Sequence, residues 1–121
     1  MKASLTNYRQ APRKVRLVAS LVKGKNANEA LFILKTLVKR AGDPLEKLLR
    51  SAIANAKDRG VATDNLIIKE FRVDKGVTLK RIMPRARGSA FPIKKRSSNV
   101  LLVLAEATPK KVKAEKAVAK K

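Results

Sequence analysis

The stretch KRIMPRARGSAFPIKKR, residues 80–96, restricts the fold of this chain more than any other segment. From Lys75 through Arg96 there are eight Lys or Arg side chains and no carboxylate. Charges at that density cannot enter a core without partners, so the segment must stand outside whatever the rest of the chain builds. Pro84, Gly88 and Pro92 oppose a helix through it. Ile82, Met83, Phe91 and Ile93 are apolar side chains of a kind that a merely solvated loop rarely includes. The residues describe an extended cationic projection with apolar points along it.

The remaining charge is just as unevenly placed. Residues 1–28 carry seven basic and no acidic groups, residues 29–74 nine basic and seven acidic, and residues 97–121 six basic and two acidic. The middle is thus an ordinary soluble protein flanked by three cationic segments. A net charge of +21 on 121 residues makes a compact chain repel itself and implies a polyanionic partner. Nucleic acid comes first, because Lys and Arg neutralising phosphates supply most of such binding. An anionic membrane surface comes second.

Several classes are excluded by what is missing. The chain has no Cys and no His, which removes disulfides, thiolate metal sites and the usual general base; no metal or cofactor is expected. No glycine-rich phosphate loop is present. Glu70 and Asp74 lie four apart on a strand face, but beside Arg72 and Lys75 they read as solvated groups rather than an acid–base pair. Ser97, Ser98 and Asn99 match no nucleophile motif. An enzyme, and with it a small-molecule substrate, is therefore not expected. The longest apolar run, VLLVLA from Val100, is far too short to span a bilayer. The N-terminus lacks a signal-peptide apolar run, and a cytoplasmic location is expected.

Periodicity divides the body into helices and then strands. APRKVRLVASLVKG predicts a helix with Pro12 in its first turn, Val15, Val18, Ala19 and Val22 inward, Gly24 at its end, and Arg13, Lys14, Arg16 and Lys23 on the opposite face. NANEALFILKTLVKRAG predicts a second helix, capped by Asn26 with Glu29 three residues on, lined by Ala30, Leu31, Leu34, Leu37 and Val38, and ended by Gly42. In the third, Asp43 caps, Pro44 starts, Leu45, Leu48, Leu49, Ala52, Ile53 and Ala56 form the stripe, and Gly60 closes it. LIIKEFRVD then alternates from Lys69, with Phe71 and Val73 on one face. SSNVLLVLAEA is apolar enough for a central strand, and KASLTNYRQ adds another. The tail 109–121 has nothing to bury and is expected to be disordered in isolation.

The strands on either side of the cationic stretch pair as an antiparallel hairpin with its turn near residues 87–92. Arms of 77–83 and 94–100 give a ribbon about 13 residues long, reaching about 40 Å at roughly 3.3 Å per residue. A bare two-stranded ribbon is marginal in water, so something outside the chain must hold it. The candidate nucleic-acid contacts are Arg9, Arg13, Lys14, Arg16, Lys23 and Lys25 before the body, and Lys80, Arg81, Arg85, Arg87, Lys94, Lys95 and Arg96 along the ribbon. Tyr8, Phe32, Phe71 and Phe91 are the only aromatics, and two of them belong to the core, so recognition of shape and backbone is expected over general stacking on unpaired bases.

Three stretches in order, APRKVRLVASLVKGK, LLRSAIANA and KRIMPRARGSA…IKKRSSN, resemble the bacterial L-twenty-two family of large-subunit ribosomal proteins over about residues 3–106. That resemblance implies an α+β fold: a three-stranded antiparallel sheet packed with three helices and a long protruding β-hairpin at about 77–100 within a single domain 1–108; the basic C-terminal tail lies outside it. It implies a structural protein that binds and bridges large-subunit ribosomal RNA, assists assembly, meets neighbouring ribosomal proteins, and works in the cytoplasm within the large subunit. The hairpin tip, Pro84, Arg85, Arg87, Gly88, Ser89, Ala90, Phe91 and Pro92, would help line the peptide exit tunnel and meet the nascent peptide. Ser89 stands where the family commonly has another Arg, Ser97 to Asn99 replace a Thr-Ser-His, and Phe91–Pro92 makes the tip bulkier. The alternative is an architectural DNA-binding protein with basic β-arms; the order of helices, strand and arm favours the ribosomal family. A membrane-active reading lacks its amphipathic helix with aromatic anchors.

Overall fold

The computed structural model describes residues 1–107; the basic segment 109–121 lies outside them. Strand β1 (Lys2–Tyr8) is followed by α1 (Pro12–Val22), α2 (Ala27–Thr36) and α3 (Gly42–Lys57), then β2 (Leu66–Lys75), β3 (Leu79–Pro84), β4 (Ala90–Lys95) and β5 (Ser98–Glu106). β1, β5 and β2 form an antiparallel sheet in that spatial order, and β3 pairs with β4 as a separate two-stranded arm. The expected α+β architecture is the one observed, with the most apolar strand, β5, in the centre.

Burial follows period. Along β5, Ser98, Val100, Leu102 and Leu104 point inward and alternate with partly exposed residues, as a half-covered sheet requires. The helices cover that face. Val15, Val18, Ala19 and Val22 of α1 and Leu45, Leu48, Leu49, Ala52 and Ala56 of α3 are all buried against it, each on the stripe its spacing predicts. Phe71 joins this core and Tyr8 packs beside it, whereas Phe32 is 69% exposed. Aliphatic side chains supply nearly all of the packing.

The second helix departs from expectation at both ends. Asn26 does cap it, accepting from the Asn28 amide at 3.3 Å, but Glu29 binds Lys25 Nζ at 2.7 Å instead of closing a capping box. The helix stops at Thr36, because Leu37 takes extended backbone that keeps its side chain on the core, leaving Val38 94% exposed. The Thr36 hydroxyl turns back onto the last turn, its proton shared between the Phe32 carbonyl at 3.1 Å and the Ile33 carbonyl at 3.2 Å. Gly42 begins α3 rather than ending α2, with Ala41 in the capping position and Asp43 in the first turn, where its charge suits the helix dipole. A Cβ on Gly42 would lie 3.1 Å from the Leu34 carbonyl oxygen, so close helix approach explains the glycine.

The arm also differs in register. Leu79 pairs with Lys95, Met83 with Phe91 and Pro84 with Ala90, three residues out of step with the expected pairing of 77–83 with 94–100. The reversal occupies residues 85–89, closed by the Arg85 amide on the Ser89 carbonyl at 2.9 Å, not residues 87–92. Arg87 (φ 59) and Gly88 (φ 69) adopt adjacent left-handed conformations there, which turn the chain before Phe91 is reached. Pro92 is accommodated within the strand, as proline is where its missing N–H faces solvent. Consequently Pro84, Ala90, Phe91 and Pro92 sit on the arm's last rungs, not in the turn.

Candidate nucleic-acid interface

The arm is the outward continuation of β2 and β5. Lys75 pairs with Ser98 in the sheet and Leu79 with Lys95 in the arm, so three residues on one side of the junction span two on the other. Such a bulge re-aims the ribbon. The junction is tightly made: the Gly76 amide donates to the Ser97 carbonyl at 2.9 Å and the Ser97 hydroxyl to the Val77 carbonyl at 2.5 Å. Next to it the fully buried Ser98 donates its hydroxyl to the Gln10 carbonyl at 2.6 Å, tying the arm's root to the loop before α1.

That tie shapes a cleft between the start of α1 and the root of the arm, lined by Ala11, Pro12, Arg13, Arg16, Lys75 and Arg96. Four of the six are cations and none is a carboxylate. Arg13 and Arg16 are neighbours on one helix face. The Arg16 Nε donates to the Val73 carbonyl at 3.0 Å, which fixes the guanidinium while its terminal N–H groups have no partner among the described residues and can bind a phosphate. Lys75 is the member that was not among the contacts expected from the sequence. Its place in the acid-free run from residue 75 was the available signal, and strand pairing was needed to bring it beside Arg96.

The other expected contacts are spread over the body and the arm. Arg9 lines a shallow groove with Asn7, Val77, Leu79 and Ser97, also at the arm's root. Lys14 belongs to a separate groove with Leu17, Leu21, Lys39 and Arg40, Lys23 caps the end of α1, and Lys25 is engaged by Glu29. Burial pushes the Tyr8 phenol, near that second groove, above its ordinary pKa of 10.0, which Arg40 partly offsets. Lys80, Arg81, Arg85, Arg87, Lys94 and Lys95 are all exposed along the arm. Arg81 donates to the Lys80 carbonyl at 2.8 Å; Arg85 opens the turn and Arg87 lies within it. Asp74, which with Glu70 could have suggested an acid–base pair, is bound by Arg72 at 2.9 Å on the exposed sheet face.

A cationic arm rooted in a cationic cleft on a three-helix, three-stranded body can be compared with known proteins. The family model for ribosomal protein L22p/L17e matches residues 3–105. The chain belongs to this family. Among its relatives, the large ribosomal subunit protein uL22 of Acetivibrio thermocellus is 52% identical over 106 residues, 87% of this chain and 85% of that protein. The uL22 protein of Myxococcus xanthus is 48% identical over 108 residues, covering 87% and 95% of the two chains. That of Lactobacillus delbrueckii subsp. bulgaricus is 49% identical over 106 residues, covering 87% and 91%. The matched span includes the body, the cleft and the whole arm.

Proposed function

We propose that this chain binds and bridges large-subunit ribosomal RNA, with the α1 cleft holding one segment of backbone and the arm another. As a family member it is a structural, non-enzymatic component of the large ribosomal subunit, which in bacteria works in the cytoplasm. The observation that carries the RNA reading is the convergence of Arg13, Arg16, Lys75 and Arg96 on one acid-free cleft where the arm leaves the body. Like charges brought together destabilise the isolated chain, and phosphates relieve that repulsion. The body and arm then fix the relative position of the RNA segments they hold, which assists assembly of the subunit. In this reading the turn at residues 85–89 reaches the peptide exit tunnel, where it meets the nascent peptide, and the body's remaining surface meets neighbouring ribosomal proteins.

The test is to tag the protein, sediment a lysate through a sucrose gradient after a moderate salt wash, and sequence the nucleic acid that stays bound. Stoichiometric co-migration with large subunits and their RNA is expected. Recovery with genomic DNA, or only in free fractions, would overturn the reading and favour an architectural DNA-binding role.

A further inference from the structure

Strand pairing sorts the arm's side chains onto two faces. On one face the rungs are Leu79 with Lys95, Arg81 with Ile93, and Met83 with Phe91. Side chains directly opposite in an antiparallel pair lie about 5 Å apart at Cβ, so the Met83 thioether stands beside the Phe91 ring, with Ile93 two residues down the same strand. Phe91 is 57% exposed, against 41% for Met83 and 38% for Ile93. The ring is the outermost apolar surface of this group, and Met83 and Ile93 flank it. The cations of the same face, Arg81 and Lys95, begin one rung below.

We infer that the Met83–Phe91 rung is a stacking platform for one unpaired ribonucleobase, whose flanking phosphates are held by Arg81 and Lys95. The inference rests on the ribosomal RNA reading above and adds a base contact to what was otherwise backbone recognition. An aromatic face stacks any base, because every base has a π-face. A nucleotide also satisfies both halves of this surface, apolar ring and adjacent cations. An added peptide strand satisfies neither well. Proline keeps its missing N–H on the solvent side of a strand, so Pro84 and Pro92 leave gaps in the donors such a peptide needs, and the cations gain no partner. The opposite face bears Ile82 against Pro92 and Pro84 against Ala90, with no aromatic ring to stack.

The test uses large subunits assembled with the full chain, irradiated with ultraviolet light and digested with nuclease and trypsin. The tryptic peptide 88–94 isolates Phe91 from every other aromatic. A nucleotide adduct on Phe91 is expected, falling to background in Phe91→Leu particles and retained in Phe91→Trp particles. If peptide 88–94 carries no adduct while other arm peptides do, the platform is wrong and the RNA reading stands. If no arm peptide carries one, both fall. A cross-link from Phe91 to the nascent chain in translating particles would overturn the platform and assign the rung to peptide.

Discussion

Lys80 and Lys94 face each other directly across the arm as one rung of its ladder, with no carboxylate anywhere from residue 75 to residue 96 to separate their charges. Like charges directly opposite weaken strand pairing, and opposite charges strengthen it by roughly 0.2–1 kcal/mol. Lys94→Glu should therefore slow amide exchange in the free arm at residues 79–84 while weakening RNA binding. Opposite signs for the two effects indicate an arm shaped for a polyanion. A variant that moves both in the same direction would show that the rung serves the ribbon's own stability.

The junction of body and arm leaves no room at residue 76. A Cβ on Gly76 would lie 2.5 Å from the Ser97 Oγ and 3.2 Å from the Ser97 backbone. The two backbone contacts remain when the hydroxyl is removed, so its loss relieves only the closest of the three. Gly76→Ala should destabilise the free protein by about 1–3 kcal/mol, and Gly76→Ala/Ser97→Ala should not return to the parent's stability. Thermal unfolding measures this; a parent-like melt for the single variant would contradict the packing described.

Ser98 is fully buried and holds the loop before α1 through its hydroxyl. Ser98→Ala leaves the Gln10 carbonyl without that donor, and a loss of about 1–3 kcal/mol is expected. Chemical denaturation should show a lower midpoint with an unchanged slope, since the exposed area on unfolding is the same. An unaltered midpoint would mean that the loop is held by other contacts.

Most of the body was legible because its signals were local. The stripes Val15–Val18–Val22 and Leu45–Leu49–Ala52 needed only helical spacing, and β5 announced itself by its unbroken apolar run from Val100 to Ala105. The end of α2 was not legible: Gly42 looks like a stop signal, yet its missing Cβ is used for contact with Leu34 and Leu37, a relationship between elements. The arm's existence followed from charge and proline, but its register did not. That was decided by Arg87, a residue type that gives no hint of positive φ, and the turn it forms with Gly88 moved Phe91 onto the ladder. Lys75 was not expected as a contact for a related reason. Its partners in the cleft come from α1 and from the far side of the hairpin, and only the β2–β5 pairing brings them together.

The central claim is that the arm and the α1 cleft neutralise RNA phosphates. The most direct test is the slope of log affinity against log salt for the full chain on large-subunit ribosomal RNA. Arg85→Ala/Arg87→Ala should leave the melt of the free protein unchanged, Lys75→Gln/Arg96→Gln should leave it no lower than the parent's because cleft repulsion is relieved, and each should reduce the magnitude of that slope by roughly 0.7–0.9 for every phosphate no longer neutralised. A slope equal to the parent's in both double variants would contradict the account.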